Sequence, residues 1–289
     1  MIEAMKNLAW INGKISELAD AKVSLEDRGY LLGDGVYEVV RVYNGCAFYL
    51  NAHLERLKKS AEAVRMTIPY SFDQITAVTK ELISESGYSD AYVYMQLTRG
   101  SAARDHLFPA ETEPGMVMYI RPLPPLKALE EVTAAACITL PDERWMNCHI
   151  KTVNLLPNLL ARQKAAEAGA VEAIMYRPGD IVTEGTRSNL FAVIDGVVRT
   201  HPETNLILSG ITRQIVVALL EDRKLKFSET AFTLAELKTA SEAWLTSTTL
   251  EVNPIDTIDR AALNRPVPGP ITTSLMKDFR RIIDTECGG

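Results

Sequence analysis

No apolar run in the chain is long enough for a membrane helix: the longest purely aliphatic stretch, residues 215–220, falls far short of the roughly 20 residues needed. Basic residues are the minority, 31 Lys plus Arg against 37 Asp plus Glu for a net charge of −6, and they gather into no stripe. That argues against nucleic acid as a partner. Cysteine and histidine are scarce, four of each. Cys46, Cys137, Cys148 and Cys287 include no C-x-x-C pair, and His53, His106, His149 and His201 show no ligand spacing. Neither a metal site nor a disulfide framework is expected, and the thiols read as reduced and mostly buried. Residues 1–10 lack the apolar core and cleavage site of a secretory leader, so the cytoplasm is the expected compartment. The absence of G-x-x-x-x-G-K-[ST] excludes a triphosphate-binding loop of that type.

What remains is an ordinary globular composition, 47% hydrophobic and 24% charged, which excludes disorder, collagen and coiled coil as the main architecture. At roughly 150 residues per domain, 289 residues suggest two. The stretch RPLPPLK at 121–127 carries three prolines, which remove backbone donors and stiffen the chain, and is the best linker candidate. The expected division is a domain over 1–121, an interdomain loop at 122–126 and a second domain over 127–289.

Strand formers around Asn12-Gly13, Asn44-Gly45 and Asp195-Gly196 predict hairpins with type I′ turns. Asn51 is the expected cap of a helix carrying Leu54, Leu57, Ala61 and Val64 at helical spacing, and Ser71 with Gln74 reads as a capping box. Strands are expected over 91–98, 116–120, 132–140, 171–176, 181–184 and 243–246, with helices over 155–168 and 211–220. The pattern is mixed α and β with many antiparallel pairs, which disfavours a doubly wound dinucleotide fold.

Four places carry candidate chemistry. Lys151 precedes an apolar helix, away from any run of surface charge; desolvated there, its amine would be a nucleophile able to form a Schiff base, although alone it reads equally as a snorkelling lysine. Glu184 ends a strand before a small-residue turn and could face the ring nitrogen of a pyridine cofactor, or only water. Ser209-Gly210-Ile211-Thr212-Arg213 offers a helix N-terminus for phosphate, with Thr248 and its hydroxyl neighbours and Arg56 as further donors; capping and strand propensity explain the same residues. Arg104 and His106, two apart in a loop, could bind a carboxylate together or form a solvated pair. Alternation in the strand near residue 40 puts Tyr37, Val39 and Arg41 on one face, as a pocket wall or a half-exposed edge.

Read together, six stretches in order resemble the fold type IV pyridoxal phosphate enzymes, and most closely the D-amino acid aminotransferases: EDRGYLLGDGVYEVV at 26–40, TRGSAARDH at 98–106, IKTVNLL at 150–156, VTEG at 182–185, SGITR at 209–213 and TSTT at 246–249. The resemblance implies an α/β (mixed α+β) chain of two domains, the second a pseudo-barrel, with pyridoxal 5′-phosphate in the interdomain cleft. It implies that Lys151 holds the cofactor covalently and moves the α-proton, that Glu184 binds the pyridine nitrogen, and that Leu208 packs on the ring. Arg56, Ile211, Thr212 and Thr248 would hold the phosphate. Tyr37, Arg104 and His106 would trap the substrate carboxylate, with Arg104 and His106 supplied by the partner subunit of a homodimer, and Val39 and Arg41 beside Tyr37.

The implied reaction is ping-pong transamination between a D-amino acid (D-alanine, D-glutamate) and a 2-oxo acid (2-oxoglutarate, pyruvate). Branched-chain L-amino acid aminotransferases, aminodeoxychorismate lyases and amine transaminases share Lys151 and Glu184; the 104–106 loop separates the readings. One departure is Arg187, where the D-amino acid enzymes carry a small serine. A second anchor for phosphate or an acidic side chain, and a solvent-facing guanidinium, both stay open.

Overall fold

The computed structural model describes residues 5–263 and 267–288. Residues 1–4, part of the stretch considered for a leader, lie outside them. The described residues divide into two units, the first made of residues 5–126, 150–154 and 283–288, the second of 127–149, 155–263 and 267–282.

The first unit is a six-stranded sheet with two long helices. Its strands are β1 (Leu8–Ile11), β2 (Lys14–Glu17), β3 (Gly35–Tyr43), β4 (Cys46–Ala47), β5 (Ala91–Thr98) and β6 (Gly115–Pro122), in the order β2-β1-β6-β5-β3-β4. Short α1 (Arg28–Leu32) precedes β3, and α2 (Leu50–Ala63) and α3 (Phe72–Ser86) follow β4. Asn12 and Gly13, and likewise Asn44 and Gly45, all have positive φ, as type I′ turns require. Strict alternation builds the core: Val36, Val40 and Val42 of β3, Val93, Met95 and Leu97 of β5, and Met116, Met118 and Ile120 of β6 pack with Leu54 and Leu57 of α2 and Ile75 and Leu82 of α3. The opposite face carries a tyrosine ladder, Tyr37 stacked on Tyr94 and Tyr94 on Tyr119.

Two expectations are corrected here. Ser71 and Gln74 do form a capping box, but α2 begins at Leu50 with Tyr49, not Asn51, at the cap. Tyr49 sits at φ 52 with its ring against Phe48, so aromatic packing rather than a side-chain cap sets the entry. Cys46 and Cys287 are joined in a disulfide across 241 residues of sequence, a pairing no local spacing announces. Cys137 and Cys148 are free and buried.

The second unit holds β7 (Ala135–Pro141), α4 (Leu156–Glu167), β8 (Glu172–Arg177), β9 (Ile181–Gly185), β10 (Asn189–Ile194), β11 (Val197–Thr200), α5 (Ile211–Asp222), β12 (Phe227–Ser228), α6 (Leu234–Thr239), β13 (Glu242–Ser247), β14 (Glu251–Ile258), β15 (Ala261–Ala262) and α7 (Pro270–Cys287), whose last turn counts with the first unit. The sheet order is β12-β11-β10-β13-β14-β7-β8-β9, with β15 on β14. Its pairs are antiparallel except β11 with β12, and β7 with β14 and β8. Every residue of β10 is buried, as expected of a strand covered on both faces.

Candidate active site

In the first unit, β4 pairs only with the far end of β3, at Val42 and Tyr43, which leaves the start of β3 with open backbone groups. Residues 150–154 fill that edge. Tyr37 N–H donates to the Lys151 carbonyl at 3.0 Å, Val153 N–H to the Gly35 carbonyl at 3.1 Å, and Val36 bridges Thr152. Lys151 N–H donates to Ser60 Oγ of α2 at 3.2 Å. The backbone of Lys151 is thus fixed by strand bonds while its half-buried side chain reaches out, with Nζ 4.3 Å from the centroid of the Tyr37 ring.

On the other face of β3, Glu38 is wholly buried and collects Arg56 Nε at 2.6 Å, Arg56 Nη2 at 2.8 Å and His53 Nδ1 at 2.7 Å. Burial works to raise the Glu38 carboxyl, but the Arg56 and His53 partners outweigh it and hold it far below the usual carboxylate range. Burial, with the Arg56 and Lys151 charges, lowers His53 against the pull of Glu38. Arg41 is also buried, with Nη2 donating to Asp90 and to the Pro124 carbonyl and its guanidinium 4.9 Å from the Tyr43 ring, so its charge serves the sheet edge; Val39 is half-buried.

Arg104 and His106 sit on an exposed loop beyond β5. Two buried arginines moor it. Arg28 donates to the Asp105 carbonyl at 2.7 Å and to Asp34 at 2.9 Å, and Arg99, also on Asp34, lies 3.6 Å from the Phe108 ring centroid.

In the second unit Glu184 is the last residue but one of β9, buried to 4% exposure. Its Oε1 accepts from Arg144 Nη1 at 2.6 Å and its Oε2 from Asn189 Nδ2 at 2.8 Å, while Leu208 N–H reaches both oxygens. Burial raises the Glu184 carboxyl to about 7 against the counter-pull of Arg144 and Leu208 N–H. Arg144 is clamped by Asp142, Nε to Oδ1 and Nη2 to Oδ2, both at 2.9 Å. Asp142 also takes the Thr183 hydroxyl at 2.9 Å and lies 3.3 Å from Arg177 Nε.

Asn189 ties this carboxylate to the start of α5. Its Nδ2 also donates to the Leu208 carbonyl at 2.8 Å, and a Cβ on Gly210, the α5 cap, would stand 2.2 Å from Asn189 Oδ1, so a side chain there would displace the Asn189 amide. Ile211 and Thr212 open α5 in its first turn, where backbone N–H groups lack helical partners. Leu208, just before α5, and Thr248, just after β13, are half-buried. Arg213 instead points back into the unit, paired with Glu203 and Glu229. Arg187 is exposed, on a turn pinned by Glu172 through Thr186 and Ser188.

These residues fit pyridoxal phosphate. Among the described residues Glu184 has three donors on a group that accepts about four, which leaves capacity for a ring N–H beside a guanidinium that favours the anion. In the second unit the glycine-capped start of α5 offers open N–H groups of the kind that bind phosphate, and in the first unit Lys151 offers an amine on a fixed backbone. Sequence reasoning singled out these ends but missed Arg144, Asp142 and Asn189, and saw Glu38 and His53 only as a strand and a scattered histidine. Asp142 and Arg144 precede Lys151 closely enough to have been candidates, but the motif gives no sign that Arg144 turns to Glu184, 40 residues on.

Residues 35–258 match the family model described as amino-transferase class IV. The chain is 42% identical over 275 residues to a D-alanine aminotransferase of Bacillus licheniformis, spanning 95% of this chain and 96% of that one. A branched-chain aminotransferase of Thermoproteus uzoniensis, solved with norvaline, superposes with a TM-score of 0.88 at 28% identity and covers 96% of this chain and 95% of its own. Another, from Thermobaculum terrenum in its PLP form, gives 0.85 at 29%, with coverage of 98% and 96%. With a family match over most of the chain and a relative this similar from end to end, the protein belongs to the class IV aminotransferases.

Proposed function

We propose that this chain is a pyridoxal phosphate-dependent D-amino acid aminotransferase, exchanging amino groups between D-alanine or D-glutamate and pyruvate or 2-oxoglutarate. The observation that carries the reading is the near full-length likeness to D-alanine aminotransferases in a chain whose Lys151 amine lies over Tyr37. When bound, the cofactor supplies a conjugated ring that takes up the electron pair left at the α-carbon. Lys151 would hold the cofactor through its amine, and the same amine would be the base that moves the proton at the substrate α-carbon. Glu184 accepts the ring N–H; Arg56, Thr212, Thr248 and the backbone N–H of Ile211 bind the phosphate; Leu208 packs on the ring. Tyr37, with Arg104 and His106 of a second copy, orients the substrate carboxylate by charge-assisted hydrogen bonds.

The second copy is part of the proposal. Helix α4 presents Leu156, Leu159 and Leu160 at 66%, 60% and 56% exposure, an apolar patch that a homodimer would cover; sedimentation velocity tests it. No helix among the described residues is long and apolar enough to cross a membrane. We place the enzyme in the cytoplasm, where the reducing pool would hold Cys46 and Cys287 as thiols.

The test is purification with pyridoxal phosphate followed by single turnovers. Loss of the yellow colour with D-alanine and not with L-leucine supports the reading, and the reverse replaces it with branched-chain chemistry, which the fold neighbours keep as the second reading. A chain that takes up no cofactor sinks both.

A further inference from the structure

We propose that Arg144 is the residue that sets the charge of Glu184, and through it the proton on the cofactor's ring nitrogen; the second half rests on the cofactor reading above. A carboxylate at 4% exposure has lost most of its hydration and stays ionised only where a positive charge and hydrogen bonds replace it. Among the described residues Glu184 has one cation in contact, Arg144 at 2.6 Å, besides the neutral donors Asn189 and Leu208 N–H. The other charged or titratable groups acting on this cluster are Asp142, Arg177 and the Cys148 thiol. Asp142 opposes ionisation of Glu184, and burial raises Cys148.

The arrangement is a shared guanidinium. Arg144 offers Nη1 to Glu184 and its Nε and Nη2 edge to Asp142, whose side chain is fully buried. Asp142 fixes the direction of the fork and competes for its charge, leaving Glu184 poised between acid and anion near neutral pH. As an anion Glu184 accepts the ring N–H. As a neutral acid it would donate to an unprotonated ring, which is a weaker electron sink. Arg144 therefore acts through Glu184, as a positioning and charge-setting residue.

The two neighbours of Glu184 should move it in opposite directions, a pattern that loss of a brace alone does not produce. The carboxyl band of Glu184 is followed by infrared titration of the cofactor-free full chain and assigned by its absence in Glu184→Gln. Arg144→Gln should raise the midpoint by about one to three pH units. Asp142→Asn, which removes the competing anion, should lower it. In the loaded enzyme the nitrogen-15 shift of labelled pyridoxal phosphate should report an unprotonated ring in Arg144→Gln at neutral pH and a protonated one in Asp142→Asn. An unchanged midpoint in Arg144→Gln overturns the proposal. Should that variant not fold, an unchanged or raised midpoint in Asp142→Asn does the same. A chain that takes up no pyridoxal phosphate removes the functional reading and the ring-nitrogen half, while the titration still decides the Glu184 half.

Discussion

Glu38 of β3 grips Arg56 of α2 at two points, 2.6 Å at Nε and 2.8 Å at Nη2, inside a core that leaves the carboxylate no solvent exposure. Glu38→Gln removes the buried anion that Arg56 and His53 both face, so it should cost about 3–5 kcal/mol in chemical denaturation and weaken cofactor uptake. The sign of the pH dependence follows from the depressed Glu38 value. Its stabilisation is whole above the ordinary carboxylate range, about pH 4, and is lost as pH falls towards the lower folded value. Wild type should show this acid limb, and Glu38→Gln should lack it.

Glu184 carries the opposite sign. Its carboxyl stands at about 7 in the fold against an ordinary 4.5, so the folded chain binds the extra proton between those values and stability drains as pH rises through the window. The loss amounts to about 3 kcal/mol by neutral pH. In cofactor-free protein the stability difference between Glu184→Gln and wild type should shift in favour of the variant by that order from pH 4.5 to 7.5. A flat difference would mean the carboxylate is ionised throughout.

Arg28 holds the carbonyl of Asp105, the residue between Arg104 and His106, at 2.7 Å. Arg104→Ala should raise KM for the 2-oxo acid by about 10- to 100-fold, the worth of one or two charge-assisted hydrogen bonds. Arg28→Met should raise KM by less and also lower stability, because a buried guanidinium on Asp34 is lost with the mooring. Steady-state kinetics with thermal melts separates the two.

Cys46 and Cys287 tie the end of α7 to the β3–β4 hairpin. In oxidised protein Cys46→Ser should lose about 2–4 kcal/mol, and the same variant should match wild type once both are reduced. Thiol counting under denaturing conditions reports which state each sample is in.

The strand of 91–98 was legible to the residue because Val93, Met95 and Leu97 alternate with half-buried partners, and period-two burial is a local property. The capping box at Ser71 and Gln74 was legible for the same reason, two side chains answering backbone donors within one turn. The start of α2 was not, since Asn51 has the right chemistry and the entry is decided by rings at Phe48 and Tyr49.

For the site, sequence alone determined the chemical types and their order: an amine at Lys151, a carboxylate at Glu184, and a glycine-capped helix start at Gly210. Motifs record what each residue can do because reactivity belongs to the side chain. Tertiary structure alone decided which charges those groups keep. Lys151 lies along β3 because β4 is too short to cover that edge, Glu38 is anionic because Arg56 and His53 meet it in the core, and Glu184 is poised near neutrality because burial outweighs the pull of a shared Arg144. Desolvation and Coulomb attraction both depend on neighbours distant in the chain, and no local spacing encodes them.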